Sequence, residues 1–129
     1  MEKKVLVVED SETNRVLLHD LLEKVCYCSV SVAVNGKQGL EIAQADLPDL
    51  ILMDLGLPVL DGMEATKILK ADAKTRSIPI IALTGFVSNE DEERMMDAGF
   101  DGFLPKPFDV RKLLDKVCLY LTARENLQF

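Results

Sequence analysis

A doubly wound α/β fold, with a parallel sheet of five strands covered by helices on both faces, is the architecture the sequence predicts, and three observations predict it. Short apolar runs recur along the chain, KVLVV at Lys4 to Val8, LILM at Leu50 to Met53 and IPIIAL at Ile78 to Leu83. They are unbroken rather than alternating, which is how a strand buried on both faces of a parallel sheet is composed. The stretches between them carry apolar residues at helical spacing, and parallel strands require such crossovers. Each run also ends abruptly in polar or turn residues, Glu9-Asp10, Asp54 followed by Gly56 and Pro58, and Thr84-Gly85. The carboxyl edge of an open α/β sheet is where ligands bind.

The elements follow in order. After the first strand, Ser11 is placed to cap a helix over Glu12 to Val25, in which Val16, Leu17, Leu21, Leu22 and Val25 form the apolar stripe. Ser29 to Val34 alternates as SVSVAV, predicting a strand buried mainly on one face at or near the sheet edge. Asn35-Gly36 has the composition of a hairpin turn, but Leu40, Ala43 and Leu47 at i, i+3 and i+7 favour a loop entering a helix that ends at Pro48. Asp54 then closes the central strand. Met63, Thr66 and Leu69 support a third helix with Lys67, Lys70 and Asp72 toward its outer side. Ser88 and Asp91 form a capping-box-like start to an acidic fourth helix that Gly99 stops. Phe100 to Leu104 is the fifth strand, broken by Lys106 between Pro105 and Pro107. Asp109 caps a last helix with the stripe Val110, Leu113, Leu114, Val117 and Leu121, and the chain is expected to fray from Arg124 to Phe129.

Composition bounds the function. The 129 residues, 48% of them hydrophobic, make one domain spanning 1–129 with its core over about 4–121. A net charge of -7 argues against general attraction to nucleic acid or an anionic membrane. No apolar run is long enough to span a bilayer and the start of the chain lacks a signal-peptide pattern, so a cytoplasmic protein is expected. Cys26, Cys28 and Cys118 show no disulfide framework. With the single His19 they lack the second ligand pair of a zinc site, and His19 fits a surface or packing position on its helix.

The strand ends carry the chemistry. Glu9, Asp10, Asp54, Thr84 and Lys106 gather at one edge of the sheet. Three carboxylates together repel and invite a hard divalent cation, Mg²⁺ by preference when a phosphate completes the shell. A hydroxyl and a lysine beside them suit the remaining phosphoryl oxygens. An aspartate in that setting is a nucleophile for phosphoryl transfer, giving an acyl phosphate.

VLVVED at Val5 to Asp10, PDLILMDLGLPVLDG at Pro48 to Gly62, PIIALTG at Pro79 to Gly85 and AGFDGFLPKPF at Ala98 to Phe108 resemble the response-regulator receiver domain, the fold of the chemotaxis regulator and of single-domain phosphorelay proteins. The likeness runs from Lys4 to Leu121. It implies a flavodoxin-like sheet of order 2-1-3-4-5. It implies Asp54 as phosphoacceptor, Mg²⁺ held by Asp10, Asp54 and the backbone carbonyl of Gly56 with Glu9 acting through water, and Thr84 and Lys106 gripping the phosphoryl group. A cis Lys106-Pro107 bond and Phe103 as the aromatic switch residue follow from the same resemblance. The donor is then a histidine kinase or histidine phosphotransfer protein, with partner choice on the first helix and the loops near Asp54. Such a chain promotes its own Mg²⁺-dependent phosphorylation and slow dephosphorylation while acting as a signalling protein. Its output to a downstream protein target comes through the fourth helix, fifth strand and fifth helix, and the state is a monomer or weak dimer.

Two positions depart from the chemotaxis-type pattern, Gly56 two residues past the acceptor and Phe86 two past Thr84. Neither supplies a polar side chain to hold an attacking water, so a longer-lived phosphoryl group is expected. Three other readings fit parts of the sequence: a dehalogenase-type phosphatase, disfavoured because Gly56 stands where a second Asp is usual; a phosphorylation-independent scaffold; and a receiver belonging to a hybrid histidine kinase.

Overall fold

A computed structural model describes residues 2–85 and 88–126, with the side chains of 123–126 set aside. Among the described residues ten elements alternate: β1 (Lys4–Val8), α1 (Glu12–Val25), β2 (Ser29–Ala33), α2 (Gly36–Asp46), β3 (Leu50–Asp54), α3 (Gly62–Ala71), β4 (Ile80–Thr84), α4 (Asn89–Ala98), β5 (Gly102–Pro105) and α5 (Val110–Asn126). The strands form one parallel sheet in the order β2-β1-β3-β4-β5, the expected doubly wound arrangement. The flanks belong to β2 and β5, and the sequence had placed β2 there through its alternation.

Strand periodicity sorts the apolar residues onto two faces. Leu6, Val8, Ile51, Met53, Ile80 and Ala82 pack against α2, α3 and α4 through Ala43, Ala65, Leu69, Met95 and Ala98. Val5, Val7, Leu50, Leu52, Ile81 and Leu83 pack against α1 and α5 through Leu18, Leu22, Leu113, Val117 and Leu121. Every residue of β3 and β4 is buried. Each fully buried aliphatic side chain contributes about 2 kcal/mol relative to exposure, so the central strands are held firmly at their register. That register pairs Val8 with Met53, Asp54 with Leu83 and Thr84 with Pro105. It thereby brings the residues that follow each strand to one edge.

Several boundaries differ from the sequence reading, each for a local reason. Strand β4 begins at Ile80 rather than Ile78, because Pro79 has no N–H for the ladder, although its carbonyl still accepts from Ile51 at 3.0 Å. Strand β5 begins at Gly102 rather than Phe100. Gly99 (φ 104) and Phe100 instead close α4, their N–H groups donating to the carbonyls of Met96 and Met95. Strand β2 stops at Ala33, since the Val34 N–H donates to the Gln38 side chain at 2.8 Å. Asn35 is the N-cap of α2, accepting from Gln38 N at 2.8 Å, which excludes a hairpin. The capping box of α4 is present, with Ser88 and Asp91 bonded reciprocally. Helix α5 continues to Asn126, past the expected fraying point at Arg124, and Leu127 to Phe129 lie outside the described residues.

Two side-chain assignments also change. On α1 the core-facing pair is Leu18 and Leu22, while Val16 and Val25 are about half exposed. The predicted stripe left out Leu18 and took in Val16 and Val25, so it was turned partly away from the arc that the helix presents to the sheet. Lys70 does not point to solvent: its ammonium donates to the carbonyls of Arg76 and Ile78 at 3.2 and 2.8 Å and pairs with Asp101 at 3.0 Å. Asp101 in turn accepts from Ile80 N at 2.8 Å, so this lysine ties the end of α3 to the entries of β4 and β5.

Two glycines differ sharply in their surroundings. A Cβ at Gly36 would clash with the Leu60 carbonyl oxygen, whereas one at Gly56 would meet nothing within 4 Å. Gly36→Ala is therefore expected to destabilise the fold by about 2 kcal/mol or more and Gly56→Ala by less than about 0.5 kcal/mol, read from urea unfolding. Equal losses at the two positions would contradict the close approach of α2 to the β3–α3 loop.

Candidate functional site

The site is built from the residues that end β1, β3, β4 and β5. Backbone pairing carries past the strands: Glu9 N donates to Ala33 O at 3.0 Å, Leu55 N to Leu83 O at 3.2 Å and Lys106 N to Thr84 O at 2.7 Å. Glu9 and Asp54 are thus level with one another, and Lys106 lies directly beyond the partner of Thr84. The Lys106-Pro107 peptide is cis.

Burial and charge are unevenly shared. Glu9 is fully buried, Asp54 and Thr84 nearly so, and Asp10 is exposed. One oxygen from each of Glu9, Asp10 and Asp54 lies within 4.8 Å of the other two. Lys106 Nζ reaches Glu9 Oε1 at 2.7 Å and Asp54 Oδ2 at 3.3 Å, so the lysine sits closer to Glu9 than to Asp54. Glu9 also accepts from Ser11 N and from Asn14 Nδ2, both at 3.1 Å. Asp54 accepts from Gly56 N at 3.1 Å.

These contacts separate the acidities. Burial pushes Asp54 up, and the hydrogen bond and negative charge of Glu9 add to it, outweighing the Gly56 N–H and the lysine, so that it rises to about 6. Burial acts on Glu9 in the same sense, but Lys106 and the Ser11 N–H win and hold it below the ordinary carboxylate value. Burial opposes the charge of Lys106 too, yet Glu9 and Asp54 raise it above the usual lysine value. One cation thus faces two buried carboxylates, and Asp54 carries the imbalance. Hard oxygen donors at this spacing suit a Mg²⁺ ion, with Asp10 exposed, Asp54 nearly buried and Glu9 fully buried among the three carboxylates.

The model of the response regulator receiver domain family matches residues 5–118. The chain belongs to the response-regulator receiver family. It is 41% identical over 121 residues to the polar-differentiation response regulator DivK of Brucella anthropi, covering 94% of this chain and 98% of that one. Among solved structures, the receiver domain of a sensor histidine kinase from Pseudomonas aeruginosa, which has a magnesium ion coordinated in its active-site cleft, superposes with a TM-score of 0.82. It shares 34% identity over 92% of this chain and 96% of that one. The receiver domain of Saccharomyces cerevisiae Ssk1, crystallised with the histidine phosphotransfer protein Ypd1, superposes with a TM-score of 0.85 at 31% identity, covering 92% and 88%. Receiver domains bind Mg²⁺ at an acidic pocket and interact with histidine kinases or phosphotransfer proteins. Family membership removes the dehalogenase-type reading. No helix among the described residues is long and apolar enough to cross a membrane.

The structure of this receiver adds supporting residues that the sequence reading missed. Arg15 donates through Nη1 to the carbonyls of Glu9 and Asp10 at 3.0 and 2.8 Å, and Asn14 holds Glu9. Both sit in the first turns of α1 directly behind the acid pair, and that position is the signal that could have found them. Phe103 is half-buried, with Lys116 Nζ 5.7 Å from its ring centroid and donating to its carbonyl at 3.0 Å. It separates a groove of about 430 Å³ against α5 from one of about 210 Å³ against α4. Phe86 lies outside the described residues.

The raised acidity constant has a sign that can be measured. Between the ordinary value of 3.8 and the folded value of about 6, the folded chain holds a proton that the unfolded chain has released. Stability therefore falls as pH rises through that window and levels off above it. In metal-free buffer Asp54→Asn should match the parent at about pH 4 and exceed it by about 2 kcal/mol at about pH 7.5, measured by denaturant unfolding. A gap that does not widen with pH would contradict the assignment.

Proposed function

We propose that this receiver accepts a phosphoryl group from a phosphohistidine onto Asp54. The observation that supports it most is the position of Asp54: buried at the end of β3, 3.3 Å from Lys106 and within reach of two further carboxylates. Near neutral pH a carboxylate titrating at about 6 is largely ionised and nucleophilic. An oxygen of Asp54 attacks phosphorus, the P–N bond to the imidazole breaks, and the imidazole leaves with a proton. Lys106 moves from Glu9 to the transferred phosphoryl oxygens, and the Thr84 hydroxyl donates to another. Asp10, Asp54 and the Gly56 carbonyl would hold a Mg²⁺ ion, with Glu9 acting through water, and the ion would supply charge neutralisation for the incoming phosphate. Arg15 and Asn14 position this acidic turn without touching the substrate.

The bonds formed by Thr84 and Lys106 would draw the ends of β4 and β5 inward. Phe103, which already borders hollows on both sides, would turn toward the space that Thr84 leaves. The surface of α4, β5 and α5 is then the output face toward a downstream protein. For the donor we favour a histidine phosphotransfer protein or histidine kinase docking on α1. Its exposed Val16, Leu17 and Val25, flanked by Asp20 and Lys24, border a shallow depression of about 430 Å³ that runs along the helix. This receiver acts on proteins as a monomer or weak dimer in the cytoplasm, with neither nucleic acid nor membrane as its partner.

A small phosphodonor with Mg²⁺ should add one phosphoryl mass to the intact protein. Asp54→Asn or a chelator should abolish the addition, and Lys106→Met should slow it by about 10²-fold. Full modification of Asp54→Asn, or no modification of the parent, would overturn the reading, the latter in favour of a phosphorylation-independent scaffold. With a phosphate mimic bound, amide shifts should extend from Ser88 to Leu114, and changes confined to the loops around Asp54 would remove Phe103 as a switch. The lifetime follows from Gly56 and Phe86: combining Gly56→Asn with Phe86→Gln should shorten the half-life of the modified protein. An unchanged half-life would refute water positioning as its cause.

A further inference from the structure

Cys26 and Cys118 lie 92 residues apart in sequence, yet their sulfurs are 3.2 Å apart. Cys26 is the C-cap residue of α1, and Cys118 lies eight residues into α5, about 12 Å along that helix from its start. Both helices cover the same face of the sheet. The pair therefore sits toward the end of the sheet opposite Asp54. Both thiols are half-buried, so a small reagent can reach them, whereas Cys28 is 2% exposed. The Cys28 thiol is engaged elsewhere, donating to the Leu22 carbonyl at 3.5 Å. Tyr27 between them is held at φ 52, a conformation that an aromatic residue seldom adopts, and its side chain is 81% exposed. This left-handed residue turns two neighbouring cysteines to different partners, one across to α5 and one back to α1.

We propose that Cys26 and Cys118 are a redox-closable clamp, oxidised by a low-molecular-weight disulfide to a bond that ties the end of α1 to α5. The thiolate of one cysteine attacks a sulfur of the small disulfide and expels one small thiol, leaving a mixed disulfide. The second cysteine, losing its proton, attacks the protein sulfur of that intermediate and expels the second small thiol. Two electrons and two protons pass from the pair to the oxidant. The sulfurs must approach from 3.2 Å to about 2.05 Å, a shift within reach of side-chain rotation. Burial, followed by the neighbouring Cys118 thiol, pushes Cys26 up to about 12, which keeps its thiolate scarce and closure slow, and once the bond is closed makes Cys26 a poor leaving group in its reduction. The clamp joins the proposed docking helix to the proposed output helix, but its formation does not depend on phosphorylation of Asp54.

Native protein incubated with oxidised glutathione or diamide, alkylated and digested with chymotrypsin tests this directly, because cleavage after Tyr27 separates Cys26 from Cys28. The expected product is a cross-linked Cys26–Cys118 peptide with one thiol left to alkylate. It should persist in Cys28→Ala, be lost in Cys26→Ser and Cys118→Ser, and raise Tm on the order of 10 °C, reversed by dithiothreitol. Only mixed glutathione adducts, a link distributed among the three cysteines as in urea-unfolded chain, or a cross-link with no rise in Tm would each overturn the clamp.

Discussion

The arrangement of this receiver depends on the repulsion among carboxylates at the ends of β1 and β3. Glu9 and Asp54 are taken out of water by a sheet whose register leaves them no choice, and a single ammonium group stands between them. Lys106 favours Glu9, so Asp54 is left as the carboxylate with least compensation. Its raised acidity constant is a cost to the fold that a cation or a phosphoryl group with its own counter-ion can relieve. Stability given up at a site in this way is a common feature of functional clusters.

The rest of the molecule serves that constraint. Unbroken aliphatic strands fix β3 and β4 so firmly that the edge residues cannot relax apart. The register places Thr84 and Lys106 on the same rim. Arg15 and Asn14 hold the turn after β1 from the back, and the close approach of Gly36 to the Leu60 carbonyl fixes the loop that follows Asp54. Lys70 ties α3 to the entries of β4 and β5 at the other edge. The rim is therefore preorganised, while α1 keeps Val16, Leu17 and Val25 at its surface.

Much of this was legible in the chain because parallel strands buried on both faces write themselves as apolar runs, and their ends as charges. The five strands, the five helices and the gathering of Glu9, Asp10, Asp54, Thr84 and Lys106 could all be read that way. What escaped were effects that depend on side-chain direction and chain reversal. The α1 stripe took in Val16 and left out Leu18 because spacing alone cannot tell which of the two faces the sheet. Phe100 looked like strand because a Gly99 closure leaves an apolar residue next to β5. Lys70 looked like a surface residue because nothing local announces that its ammonium meets Asp101. The preference of Lys106 for Glu9 and the meeting of Cys26 with Cys118 are tertiary facts with no local signature.

The account turns on Asp54 being destabilised as an anion by its burial and by Glu9. The most direct measurement is an NMR titration of the Asp54 side-chain carboxyl carbon, in metal-free buffer and again with Mg²⁺. The account predicts an inflection near 6 without metal that moves well down when Mg²⁺ is added. An inflection at the ordinary 3.8 in metal-free buffer, or one that Mg²⁺ leaves in place, would contradict it.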